Sequence, residues 1–202
     1  MRLHLLALIS VLAAGSTPLL AASFTPYPTV GSVAPTTATY ATGSTISAYF
    51  YGSNAADDDT LSVFDITTGL FLSPKNQLDN HTSVQSGIPV LFTGANVGDQ
   101  IAFELTNAAY GAGTIFSSDP SRSTDGVNHA YITDFAGLIG KADISGLYIG
   151  MEDLAKGSSD FDYNDENIVV NGVATAPEPS SFILLGTGLL GVAGAMRRKF
   201  AR

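Results

Sequence analysis

The segment Gln100-Ile101-Ala102-Phe103-Glu104-Leu105 carries the clearest fold signal in this chain of 202 residues. Successive side chains of a β-strand point to opposite faces, so Ile101, Phe103 and Leu105 share one face and are expected to point into a core. Short apolar or β-branched runs of this kind recur along the body of the chain, separated by Gly, Ser, Thr, Asn and Asp. Such a pattern is typical of an all-β sandwich or barrel.

The sequence therefore predicts an all-β protein, an antiparallel and jelly-roll-like β-sandwich. The predicted strands are 45–51, 61–66, 88–92, 100–105, 129–133, 147–151 and 167–173. Glycines at positions 137 and 140 predict a loop over 134–141. The proline-containing segment 24–40 is predicted to be an extended leader.

One exported domain is predicted over residues 24–176, because a span of this length can bury a proper core. It holds four basic and seventeen acidic residues, a net charge of −13, compared with −9 for the whole chain. Such a surface repels nucleic acid, which is therefore not an expected partner. The chain has no cysteine, so its stability must come from packing, with or without bound metal.

Acidic residues are concentrated between Glu152 and Glu166. Carboxylates this close together repel one another unless a cation lies between them, and hard oxygen ligands of this kind suit Ca²⁺. If the segment is extended, alternate side chains share a face, with the oxygen ligands opposite Phe161 and Tyr163. The candidate ligands of a Ca²⁺ cofactor are Glu152, Asp153, Asp160, Asp162, Asn164 and Asp165.

Ordinary turn chemistry is the alternative interpretation of the same residues. Asp160, Asp162 and Asp165 could accept hydrogen bonds from backbone N–H groups at the start of the next strand, as Asx residues do routinely. Glu152 and Asp153 could form no more than a solvated corner. An EF-hand is excluded, because its sixth position requires Gly and holds Asp165 here.

A second acidic run, Asp57-Asp58-Asp59, is interpreted as a solvated turn, with a second cation site as the alternative. His81 and His129 lack the neighbouring ligands that zinc requires and are interpreted as structural.

The chain is predicted not to be an enzyme. It contains no Gly-x-Ser-x-Gly elbow, phosphate loop or dinucleotide fingerprint. A glycan-active hydrolase is the least favoured class, since it needs a carboxylic acid in an apolar pocket, which a loop rich in Gly and Ser does not predict. A structural matrix component is favoured. A carbohydrate- or surface-binding adhesive module is the alternative, and it would require an exposed aromatic patch.

The sequence patterns at both ends of the chain predict that the protein is exported. Residues 1–23 combine a basic start, an apolar run and small residues at the end, the pattern of a signal peptide removed by signal peptidase. Residues 177–202 begin with Pro-Glu-Pro and continue with an uncharged stretch, 181–196, predicted to be a short transmembrane helix with its basic end in the cytoplasm. The sorting residues are Pro177, Glu178, Pro179, Arg197, Arg198 and Lys199.

This tail resembles the PEP-CTERM sorting signal of bacteria. The resemblance implies that the protein is exported, held transiently in the inner membrane and processed by an exosortase. It would then reach the outer surface or the extracellular space, where exopolysaccharide or other surface components are the expected partners.

A second resemblance centres on the acidic segment. Glu152-Asp153-Leu154, then Asp160-Phe161-Asp162-Tyr163-Asn164-Asp165 and an apolar strand, resemble the family called domain of unknown function 4114. His129-Ala130 also fits that family, and the resemblance covers roughly residues 126–172. It implies a β-rich extracellular domain, suspected of binding calcium and without an established enzymatic activity.

Overall fold

Short antiparallel strands account for almost all the regular structure. The computed structural model describes residues 24–111 and 113–176. Within them, no helix is long and apolar enough to cross a membrane. The strands are β1 (Thr39–Ala41), β2 (Thr45–Gly52), β3 (Asp59–Asp65), β4 (Leu70–Phe71), β5 (Val90–Thr93), β6 (Gln100–Asn107), β7 (Phe116–Ser117), β8 (Ala130–Ile139), β9 (Ala142–Met151), β10 (Glu166–Asn171) and β11 (Val173–Thr175), with a 3₁₀ turn at Ala108–Tyr110 after β6.

The strands form two sheets that share one core. The first sheet has the order β11-β1-β6-β3-β4, with β7 paired to β6, and the second has the order β5-β2-β10-β9-β8. Leu61 and Phe103 of the first sheet and Ile149 and Ile168 of the second belong to a single buried cluster, so the sheets pack face to face. The predicted all-β antiparallel fold is confirmed. Strands β8, β9 and β10 form a meander, unlike the two Greek keys of a jelly roll.

The outer face of the second sheet is also covered. Phe135 of β8 and Tyr148 of β9 are buried there, and the Phe24 ring stacks on Tyr148 with 4.2 Å between the ring centroids. The prediction of a loop over 134–141 is wrong, because β8 pairs with β9 as far as Ile139. Gly140, with a φ of 60°, lies in the tight turn between these strands. Glycine there marks a hairpin turn and not a longer loop.

One end of the sandwich brings together the segments that carry most of the acidic residues. Residues 152–165 connect β9 to β10 at this end. Asp59, which begins β3, pairs with Asn107, which ends β6. Gly150 allows the connection to approach β9 closely, because a Cβ at this position would lie 2.3 Å from the Tyr163 carbonyl oxygen. The two sheets therefore place acidic side chains at a common edge.

Candidate metal centre

The connection between β9 and β10, called the acidic loop here (residues 152–165), is not an extended strand. Phe161 and Tyr163 have left-handed φ values of 48° and 59°. Both rings are buried in a small apolar cluster with Ala34, and the Tyr163 hydroxyl accepts a hydrogen bond from the Ala34 N–H at 2.7 Å. The prediction that alternate side chains would share opposite faces of an extended segment is wrong. Two turns, each fixed by a buried aromatic ring, direct the carboxylates instead.

The carboxylates of the acidic loop form two groups of three. Oxygens of Glu152, Asp153 and Asp165, called the inner triad, lie within 4.8 Å of one another. Oxygens of Glu152, Asp160 and Asp162, called the outer triad, also lie within 4.8 Å of one another. Glu152 belongs to both triads. All five predicted carboxylate ligands are therefore brought together around one shared residue.

Glu152 is the most constrained member of the cluster. Its side chain is fully buried, and neither carboxylate oxygen has a hydrogen-bond partner. Its backbone N–H donates to the His129 carbonyl at 3.0 Å, which fixes the start of the loop against the start of β8. Burial raises the pKa of Glu152 to about 7; the nearby Ser159 side chain and Tyr163 N–H partly offset the rise, and the charges of Asp160 and Asp162 add to it. A buried carboxylate whose nearby donors form no well-aligned hydrogen bond is stabilised by a bound proton or cation.

The inner triad is crowded as well as buried. Burial raises the pKa of Asp165 to about 8, and the negative charges of Asp153 and Glu152 contribute. One Asp165 oxygen accepts the Asp153 N–H at 3.0 Å. This bond is the turn chemistry that the sequence offers as an alternative. A second oxygen of the triad, on Asp153, accepts the Asn107 side-chain N–H at 3.4 Å.

The outer triad lies nearer to solvent. Asp160 is exposed and Asp162 is half-buried. One Asp162 oxygen accepts the Asn164 N–H at 3.1 Å, which closes an Asx turn, and the Asn164 side-chain nitrogen contacts the other oxygen. The Asn164 side-chain oxygen is buried without a partner. Asn164 thus lies beside the outer triad with a free oxygen ligand.

Sequence reasoning missed two carboxylates. The interpretation of Asp57-Asp58-Asp59 as a solvated turn is wrong for Asp59, which is fully buried. Glu166, which begins β10, is fully buried as well. Asp59 lies on the same face of β3 as Leu61 and Val63, because residues two apart in a strand share a face. This spacing was the signal in the sequence that Asp59 faces inward. Burial first, then a hydrogen bond with the Asp153 carboxyl and the charges of Asp153 and Asp165, raise the pKa of Asp59 to about 9.

The donor set fits a hard divalent cation. Its members are carboxylate oxygens together with one amide oxygen, the ligand types that Ca²⁺ takes in numbers of six to eight. No Lys or Arg compensates for the charge: among the described residues, the ion pairs join His81 to Asp58, Arg122 to Glu104 and His129 to Asp125, and none includes a member of either triad.

These features define the molecule as an antiparallel β-sandwich with clustered carboxylates at one end. Residues 79–172 match the family model described as Domain of unknown function (DUF4114), and residues 175–199 match the PEP-CTERM protein-sorting motif. Both resemblances seen in the sequence are confirmed. No curated protein and no solved structure matches the chain.

The sorting motif identifies an exported protein that is processed by an exosortase. Several predictions about the two ends fall outside the described residues. They are the signal peptide (1–23), the transmembrane helix (181–196) and the positions of the sorting residues Pro177, Glu178, Pro179, Arg197, Arg198 and Lys199.

Proposed function

We propose that this protein is a non-enzymatic component of the bacterial surface or extracellular matrix, and that Ca²⁺ bound by the acidic loop stabilises its β-sandwich. Glu152 carries the calcium proposal, because it is fully buried, has no hydrogen-bond partner on either oxygen and belongs to both triads. The PEP-CTERM motif supports delivery to the cell exterior. Extracellular calcium modules bind Ca²⁺ with Kd values of about 10⁻⁴ to 10⁻³ M.

The burial of Glu152 also supports a non-enzymatic role. A general acid in a glycosidase must touch the leaving-group oxygen of its substrate. Glu152 has a raised pKa of about 7, but its side chain has no exposed surface that a sugar could reach. The raised pKa is therefore better explained by a role in cation binding than by catalysis.

Calcium is expected to raise the melting temperature of the protein. At ten times its Kd, a ligand that binds only the folded state contributes about 1.4 kcal/mol. For a chain of this size that is a rise of about 3–6 °C in melting temperature. Differential scanning calorimetry of the full chain in detergent, with EDTA or millimolar Ca²⁺, measures the shift.

The Asp160→Ala, Asp162→Ala double variant removes two ligands of the outer triad and should show a reduced shift. Asp143→Asn, an exposed carboxylate on β9, is the matched control and should respond like the unmodified protein. Equal shifts in all three proteins, or none in any of them, would leave the loop with turn chemistry alone.

A pocket beside the outer triad favours carbohydrate binding as the second candidate function. It has a volume of about 400 Å³ and lies on the outer face of the second sheet. Half-buried tyrosine rings provide flat apolar surface in it, and amide and carboxylate groups provide polar contacts, which is the composition of a small-ligand site. Its lining includes Tyr27, Tyr51, Tyr131, Asp162, Asn164 and Asn167.

Binding of surface oligosaccharides should depend on this pocket. Tyr131→Ala removes a half-buried ring that contacts Tyr27, and about tenfold weaker binding is expected, equivalent to about 1.4 kcal/mol. Tyr40→Ala, on the other sheet, is the control. Glycan arrays followed by calorimetry measure the affinity, and mass spectrometry should recover the bound oligosaccharide uncleaved. Equal affinity in both variants would place binding elsewhere.

A further inference from the structure

Two buried carboxylates lie at the acidic end, one on each sheet, and the charge of Asp59 acts on Glu166. Asp59 begins β3 of the first sheet and has the same strand parity as Leu61 and Val63, which point into the core between the sheets. Glu166 begins β10 of the second sheet and has the same parity as Ile168, which also points into that core. Both side chains therefore enter the sandwich from opposite walls at the same end.

Neither carboxylate is satisfied by the protein. Both residues are 0% exposed. One Asp59 oxygen and both Glu166 oxygens have no hydrogen-bond partner. The remaining Asp59 oxygen accepts a long contact of 3.5 Å from the Asn80 amide, and its other close neighbour is the Asp153 carboxyl. Buried polar atoms without partners are rare in native proteins, and each calls for an explanation, of which a bound ion or water is one.

The inner triad lies next to this pair. The Asp153 carboxyl is within hydrogen-bond reach of Asp59, and the Asp165 charge also acts on Asp59. Asn107, at the end of β6, donates its side-chain N–H to the Asp153 carbonyl at 3.1 Å. The acidic loop of the second sheet is thus docked onto the strand ends of the first sheet, and the converging charges come from both.

We infer that a second divalent cation of the Ca²⁺ type binds between the two sheets at Asp153 and Asp165, whose oxygens lie within 4.8 Å of each other. Asp59, beside Asp153, and Glu166 complete its ligand set, and the site is separate from an outer ion at Glu152, Asp160 and Asp162. The inference rests on the proposed calcium function and extends it. The inner cation joins the sheets, because its ligands come from β3 on one side and from the acidic loop and β10 on the other. It takes the structural place of a disulfide in a chain that has no cysteine.

Counting bound ions tests this directly. Equilibrium dialysis of the full chain in detergent against radioactive ⁴⁵Ca²⁺ should give two ions per unmodified chain. Asp59→Asn, which keeps the side-chain shape, should give one. Asp58→Asn, the exposed neighbour, is the matched control and should give two. The Asp160→Ala, Asp162→Ala variant should give one, because it loses only the outer ion.

The possible results separate this inference from the proposed function. A single ion that is lost in the Asp160, Asp162 variant and kept in Asp59→Asn would overturn the inner site and leave the calcium function intact. No bound ion in the unmodified chain would overturn both. Two ions in Asp59→Asn would also overturn the inner site.

Glu166→Gln removes a different ligand of the inner site and should also bind one ion per chain. It provides a second test if the Asp59→Asn variant does not fold. If neither inner variant folds, the unmodified chain and the outer-triad variant decide the question. Two ions and one ion, respectively, support the inner site, and one and none overturn it.

Discussion

Without calcium, the protein is expected to lose stability as the pH rises from about 5 to about 8. Glu152, Asp165 and Asp59 have folded-state pKa values raised to about 7, 8 and 9, mainly by burial. In the unfolded chain, the same carboxyls titrate near their ordinary values of about 4. Between these values the folded state binds more protons than the unfolded state, so its stability falls with rising pH.

The direction of the effect is fixed by the direction of these shifts. The stabilisation is complete below about pH 4, where both states are protonated, and is lost as the pH rises through the folded-state pKa of each group. Each carboxyl contributes up to about 1.4 kcal/mol per pH unit inside its window. Chemical unfolding in EDTA at a series of pH values measures the slope.

Calcium should reverse this dependence, because a cation replaces the protons and binds better to ionised ligands. The increase in unfolding free energy on adding Ca²⁺ is therefore expected to be larger at pH 8 than at pH 5. Asp59→Asn should flatten the slope seen in EDTA, since it removes one titrating group. Asp143→Asn should keep the slope. A chelated protein that is equally stable at both pH values, or more stable at pH 8, would contradict the assignment of cation-binding carboxyls.

Local alternation was sufficient to predict much of the fold. Ile101, Phe103 and Leu105 point into the core as the sequence indicates, because one face of β6 packs against the second sheet. The error over 134–141 has a tertiary cause. Phe135 is buried on the outer face by Phe24, which is distant in sequence, and this cover stabilises a strand that its glycines argue against.

Only the part of the candidate site formed by residues close together in the sequence could be predicted. Glu152 and Asp165 lie in one loop, so their proximity could be expected from the sequence. The placement of Asp59 and Glu166 at the same end of the sandwich depends on strand pairing and sheet packing, and no short-range pattern specifies that. The sequence also did not predict the left-handed backbone at Phe161 and Tyr163, because bulky residues rarely adopt positive φ.

The sorting motif begins where the sandwich ends. Its match starts at residue 175, and Thr175, the last residue of β11, pairs with Thr39 of β1. The sorting motif therefore follows directly from an ordered strand. This arrangement would hold the folded domain close to the membrane on the exported side until the tail is removed.

Mass spectrometry of the stable protein from its native host is expected to show the loss of residues 1–23 and of everything from about residue 180 onward. Within the uncharged stretch 181–196, the run from residue 182 to residue 196 would reach only about 22 Å as a helix, short of a hydrocarbon core of about 30 Å. This length suits a transient span better than a permanent anchor. The basic end should hold the tail in place until an exosortase acts.

Replacing Arg197, Arg198 and Lys199 by Ala should abolish this processing, because the apolar stretch would lose the positive charge that keeps its end in the cytoplasm. Lys141→Ala and Lys156→Ala, which remove basic residues from the described domain, are the matched controls and should be processed normally. Recovery of the intact tail, including Arg202, in the stable form of the unmodified protein would make the tail a permanent anchor. The acidic end would then meet extracellular calcium on a tethered domain and not on a released one.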